Sequence, residues 1–169
     1  MTGLWFNFGV LIVVQLFVFL IHAYYEKKLA DVPRVLWQGA ISGLIVGPPV
    51  DLIFGKYLGI GTYLLGFGPF FLILLAIFGW GLGFANIFLM QHARLLHFCI
   101  WMMIVIVVSE ILNLFLPLWT WPFAMLSIEY VMIALIAPLA LAMAIALAWH
   151  QFFGYRFAFI DNVLKRKSW

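Results

Sequence analysis

Apolar residues run nearly unbroken through five stretches, at 4–22, 35–54, 69–90, 96–116 and 122–149, with most of the charged residues lying between them. At a rise of ~1.5 Å per helical residue each stretch can reach across the ~30 Å of a bilayer's hydrocarbon, the second only barely. Hydrocarbon supplies no hydrogen bonds to an open backbone, so the pattern predicts helices. The expectation is an all-α integral membrane protein of five transmembrane helices.

Composition removes the soluble alternative. Of 169 residues 67% are hydrophobic and 9% charged, and mean hydropathy is +1.18. Soluble domains run at roughly 45–50% apolar and about 25% charged. The start, MTGLWFNFG, lacks a basic region and a small-residue cleavage site, so it is expected to be mature structure rather than a signal peptide. Cys99, the single cysteine, permits no disulfide framework and is expected to act as a small buried hydrophobe.

Charge placement sets the orientation. With the amino terminus outside, Lys27, Lys28, Arg34, Arg94, Arg156, Lys165, Arg166 and Lys167 fall on one side and only Lys56 on the other. This matches the excess of Lys and Arg on cytoplasmic loops, whereas four or six spans would scatter those charges. The carboxyl terminus is expected in the cytoplasm of a bacterial or archaeal cell. Residues 1–151 are expected to form the membrane domain and 152–169 a basic interfacial tail, with Tyr155, Phe157 and Phe159 at the leaflet and the lysines on anionic lipid. Membrane lipid is the expected partner of that tail, and nucleic acid is not expected.

Several residues punctuate the helices. Asp31 and Pro33 suit the start of the second. Gly39, Gly43 and Gly47 share one of its faces and are expected to admit a neighbouring helix closely. Pro48 and Pro49 disturb it just before Asp51. Gly79, Gly81 and Gly83 extend the small-residue theme into the third helix. Pro138 is expected to kink the fifth.

Six acidic residues occur. Glu26, Asp31 and Asp161 are expected to be solvated on the cytoplasmic side. Asp51, Glu110 and Glu129 map to the outer half of the membrane. If helix four ends near Pro117 and helix five starts at Pro122, Glu110 and Glu129 each lie seven residues inside a helix, or ~10 Å deep. An ionised acid at the bilayer centre costs ~2.5–3.5 kcal/mol even on the lenient scale. The cheaper state is the neutral acid, which can donate its proton to an apolar molecule or merely tie helix four to helix five. Asn113 lies near the face of Glu110, Ser127 and Tyr130 flank Glu129, and Trp119 and Trp121 roof the turn, where the interfacial aromatic belt is their expected role.

A faint internal repeat accompanies these acids. Helices two–three and four–five share orientation and are candidates for parallel repeats. Asp51 aligns with Glu110, LGIGTY from Leu58 with LPLWTW from Leu116, and Phe70 with Glu129.

Three stretches carry a resemblance to a known family: HAYYEKKLADVPRVLWQGA from His22, VDLIFGKYLGIGTY from Val50 and SIEYVMIALIAP from Ser127. Together they resemble the small membrane lycopene cyclase domain, which works as a heterodimer or fused pair. The departures are Ser127 for the family's proline, Tyr130 for its second glutamate, and Phe70 where the first repeat would carry an acid. The resemblance implies a non-redox cyclase or isomerase of carotenoid biosynthesis that needs no cofactor. It protonates an isoprenoid double bond, lets the carbocation close a ring, and takes a proton back in a dry site. On this reading Glu129 is the acid, Glu110 its partner and Asp51 a supporting group. Tyr130, Asn113, Trp119, Trp121 and Phe71 are the substrate-binding candidates, the four aromatic rings among them steadying the cation.

Other readings stay open. The chain suits a non-catalytic structural or lipid- or pigment-binding subunit of a larger homo- or hetero-oligomer. A proton path is less well supported, since only Gln15 and Asn86 continue it inward. His22, His92, His97 and His150 all map to cytoplasmic helix ends, where they are expected to be solvated. None shows the H-x-x-x-H or H-E-x-x-H spacing of a local metal motif, so no metal is expected.

Overall fold

A computed structural model describes residues 2–125 and 127–165 of the chain. Five helices are long and apolar enough to cross a membrane: α1 Thr2–Tyr25, α2 Leu29–Tyr57, α3 Pro69–Leu89, α4 Leu95–Phe115 and α5 Ile128–Phe152. A shorter helix, α6, spans Ala158–Lys165. The two-residue strands β1, Thr62–Tyr63, and β2, Trp119–Thr120, pair antiparallel, with Thr62 opposite Thr120 and Tyr63 opposite Trp119. This ribbon clasps the α2–α3 loop to the α4–α5 loop.

All five expected spans are present; α1, α3 and α4 match closely, and α2 is longer at both ends than its apolar run suggested. The exception is the start of α5. Phe123, Ala124 and Met125 after Pro122 are not helical, and the helix begins only at Ile128, where Ser127 Oγ accepts a hydrogen bond from Tyr130 N at 3.2 Å. Ser127 is therefore an N-cap that meets one of the first turn's unpaired amides.

The closest packing joins α2 to α3, and glycines make it possible. A Cβ placed on Gly39 would lie 2.3 Å from Gly81 O, one on Gly43 2.0 Å from Ala76 O, and one on Gly47 2.5 Å from the Trp80 ring. Lipid tails are as apolar as leucine, so contact of this kind, rather than hydrophobic burial, holds helices together in a membrane. At one end of the bundle Lys28 Nζ donates to Leu89 O, at the C-terminal pole of α3.

Three helices widen locally into π turns: Asp51–Tyr57 in α2, Leu75–Trp80 in α3 and Val131–Ile136 in α5. The first follows Pro48 and Pro49 and the last precedes Pro138, residues that lack the amide hydrogen a regular turn needs. Such widened turns recur at functional sites, and all three border the same interior space.

The tail departs from expectation. Phe157, Phe159 and Ile160 are buried in the main core with Phe98 and Phe88 instead of lying at a leaflet surface. Ala158 N donates to Gln91 O at 2.7 Å, and Gln38 Nε2 donates to the Tyr155 hydroxyl. The side chain of Lys165, and Arg166 and Lys167 entirely, lie outside the described residues.

Candidate functional site

The π turns, the ribbon and the inner faces of α1 and α4 line a partly open cavity of about 380 Å³. Small residues create the room: Gly55, Gly79, Gly83, Ala134 and Ala137 line it. Its walls are otherwise apolar or aromatic, with Phe54, Trp80, Phe84, Trp119 and Trp121 among them. Asp51 and Glu110 both reach it, 4% and 9% exposed. No Lys, Arg or His side chain among the described residues lines it.

Each carboxyl is held by two aromatic donors. The Tyr63 hydroxyl donates to Asp51 Oδ1 at 2.7 Å and Trp80 Nε1 to Oδ2 at 2.9 Å. Trp121 Nε1 and the Tyr130 hydroxyl donate to the same oxygen of Glu110, Oε2, at 3.0 and 2.9 Å. Among the described residues no hydrogen bond within 3.5 Å reaches Glu110 Oε1, and the Trp119 indole N–H, itself buried without a partner at that distance, stands near the carboxyl as a third, longer-range donor. Burial, and then the neighbouring Asp51 carboxyl, keep the Tyr63 hydroxyl well above the ordinary phenol range, so Tyr63 stays a donor. Also lining the cavity, Gln15 Nε2 donates to Ser109 Oγ at 2.5 Å, and its own carbonyl oxygen is buried without a partner.

The sequence candidates divide. Asp51 and Glu110 meet at one cavity. Glu129 does not join them: it is exposed, in the first turn of α5. The late start of α5 moves it from the expected depth to the helix end, where the macrodipole favours an acid. Phe70, its counterpart in the faint repeat, is likewise exposed near the start of α3.

The aromatic candidates are also redistributed. Trp119 and Trp121 line the interior instead of forming an interfacial belt. Tyr130 acts on Glu110, not on the cavity wall. Phe71 packs edge-on against Phe8 and Tyr63, with ring centroids 5.4 and 5.5 Å away, in a separate core cluster.

Asn113 staples the turn. Its Oδ1 accepts from Leu118 N at 2.7 Å and Trp119 N at 3.0 Å, and its Nδ2 donates to Trp119 O at 2.9 Å. Asn113→Ala is expected to cost about 2 kcal/mol by stranding these backbone groups. Asn113→Asp, which keeps the acceptor, should cost less. Thermal unfolding in detergent would read the difference.

Sequence reasoning did not single out Tyr63 and Trp80 as site residues. They stand 12 and 29 residues from Asp51, and a lone aromatic in an apolar chain carries no signal of its own. The one hint for Tyr63 was its alignment with Trp121: each donates to the acid of its own half.

The histidines also differ from expectation. His22 is completely buried and His97 half-buried, and Glu26 bonds to His97 instead of to solvent. His150 Nδ1 accepts from Phe157 N at 3.3 Å, and only His92 is exposed. Comparison with protein-family models, curated proteins and solved structures gives no match.

Proposed function

We propose that this chain is a membrane-embedded isomerase or cyclase that moves a proton onto and off an apolar, isoprenoid-like molecule held in the cavity. One observation carries the reading: two buried carboxyls border a single apolar space, each oriented by aromatic donors and neither offset by a basic group among the described residues. The chain stands with its amino terminus outside and its tail in the cytoplasm, on the distribution of Lys and Arg. Its α2–α3 and α4–α5 halves are repeats, a view supported by Thr62 pairing with its aligned partner Thr120.

The hydrogen-bond pattern divides the labour differently from the sequence expectation. Glu110 is the acid. With its carbonyl oxygen Oε2 accepting from Trp121 and Tyr130, the proton sits on Oε1, the free oxygen. Donors to Oε2 stabilise the carboxylate left behind, which eases proton release. Asp51, with both oxygens receiving hydrogen bonds, suits the ionised state and is the base.

The chemistry balances without a cofactor. The Glu110 O–H bond breaks as a C–H bond forms on one alkene carbon, and the cation develops on the other. A neighbouring double bond attacks that cation and closes the ring. Asp51 then removes a proton from an adjacent carbon, restoring a double bond in a product isomeric with the substrate. After product leaves, Asp51 gives that proton to water and Glu110 takes one from water, which resets the pair. The faces of Trp80, Trp119 and Trp121 attract the cation, and the apolar walls exclude the water that would quench it. A cavity of about 380 Å³ is at the small end of the ~300–1,000 Å³ range of ligand pockets. It takes a short isoprenoid, or one end of a long polyene whose remainder lies in lipid.

Protein reconstituted in lipid with an acyclic isoprenoid in D₂O is expected to yield an isomer carrying one deuterium per turnover, read by mass spectrometry. A subunit that only holds an apolar molecule would return it unlabelled and unchanged, and that result would refute the proposal.

A further inference from the structure

A second polar cluster lies away from the cavity, where the end of α1 meets the start of α4. His22 and Glu26 are one helical turn apart, and His97 reaches them from the first turn of α4. Their ligand-type atoms all lie within 4.8 Å of one another. His97 Nε2 is 2.6 Å from Glu26 Oε1, and His22 Nε2 is 4.0 Å from the same oxygen.

Hydrogen bonds fix which nitrogen of His22 is bare. Asn86 Nδ2 donates to Leu82 O at 2.8 Å, which turns Asn86 Oδ1 toward His22 Nδ1 at 2.7 Å. An amide oxygen only accepts, so Nδ1 carries the hydrogen and Nε2 a lone pair. That nitrogen is buried without a hydrogen-bond partner, on a side chain with no exposed surface. A lone pair facing a carboxylate is repelled unless a positive centre lies between them. A proton on Nε2 does not bridge the gap, because 4.0 Å exceeds hydrogen-bond reach. The Trp101 ring, stacked on His22 at 4.2 Å, fixes its plane. Lys28, the nearby cation, is tied to Leu89 O.

We propose that His22 Nε2, Glu26 Oε1 and His97 Nε2 bind a divalent transition-metal ion of the zinc class, leaving a fourth position for water or another ligand. Two imidazoles and a carboxylate are a donor set of open zinc sites. The His22–Asn86 bond is the outer-shell contact that ligating histidines make through their other nitrogen. Bonds of ~2.0–2.1 Å to a tetrahedral ion set ligand atoms ~3.3 Å apart. The His22–Glu26 separation of 4.0 Å therefore closes, and the His97–Glu26 separation of 2.6 Å opens, by similar amounts. Glu26 and His97, 17% and 32% exposed at the side chain, have room to adjust. The two histidines are 75 residues apart in sequence, which is why no local spacing revealed them. This site stands independently of the cavity chemistry.

Cobalt(II) is a visible probe for such a site. Full-length protein without a histidine tag, in detergent, is expected to bind one Co²⁺ with the absorption bands of four-coordinate cobalt, and Zn²⁺ should displace it. Glu26→Gln keeps the size and the hydrogen bond to His97 while removing the charge, and should weaken binding at least tenfold. His97→Ala should do the same, and His92→Ala, at an exposed histidine of the same end, should change nothing. Absence of stoichiometric bands in the parent, or undiminished binding by Glu26→Gln, would overturn the assignment. So would loss of binding in His92→Ala.

Discussion

Gly43→Leu is expected to leave almost no folded protein. A Cβ at this position would meet Ala76 O at 2.0 Å and Gly81 N at 2.8 Å. Both are backbone atoms of the facing helix and cannot rotate aside. The helices would have to separate, and the contacts at Gly39 and Gly47 would open with them. Overpacking into side chains costs ~1–3 kcal/mol; displacing a whole backbone in the tightest contact of the bundle should exceed that range. Gly43→Ala makes the sharper comparison. Alanine ordinarily gains ~1 kcal/mol over glycine inside a helix, yet here its methyl is the clashing atom, so the sign reverses. Gly9→Ala on α1, where nothing lies within 4 Å of the added carbon, should be neutral or mildly stabilising. Unfolding by sodium dodecyl sulfate, followed by circular dichroism, would rank the three variants. Parental stability in Gly43→Leu would show that α2 and α3 do not meet as described.

That contact was legible in the sequence because three glycines at four-residue spacing can be explained without knowing the partner helix. The five long helices were legible for a related reason: lipid demands a continuous apolar run, and such runs are read directly. What hydropathy cannot do is separate an apolar turn from an apolar helix. WPFAM, Trp121 to Met125 between β2 and α5, is as greasy as a span yet is not one. The local sign was Ser127, whose hydroxyl caps α5, and missing it displaced Glu129 by two turns. Asp51 and Glu110 could be named in advance because a carboxyl in hydrocarbon is rare and costly. Tyr63, Trp80 and His22 could not, because each gains its role from a residue brought close only by folding.

If the proposed reaction holds, Glu110→Gln is expected to lower its turnover by ~10²–10⁴-fold, the range general acid catalysis contributes, with stability little changed. The amide oxygen of glutamine can still accept from Trp121 Nε1 and the Tyr130 hydroxyl, so the links between α4, the turn and α5 persist while the acidic proton is gone. Glu110→Leu would remove both and should destabilise as well, by leaving two buried donors unpaired. Asp51→Asn should impair turnover in its turn, since an amide cannot take the departing proton. Glu129→Gln is the decisive companion. The family resemblance implied Glu129 as the acid, whereas its place in the exposed first turn of α5 predicts unchanged turnover. The pair of variants therefore separates two accounts that share a reaction but differ in its location. If Glu129→Gln were inactive and Glu110→Gln normal, the chemistry would have to lie outside the cavity. If both behaved as the parent in a protein that still converts substrate, Glu110 would serve only to tether α4 to α5 through Tyr130. A large loss in Glu110→Gln alone, in protein that unfolds as the parent does, is the result that the free Oε1 and its doubly hydrogen-bonded partner Oε2 lead one to expect.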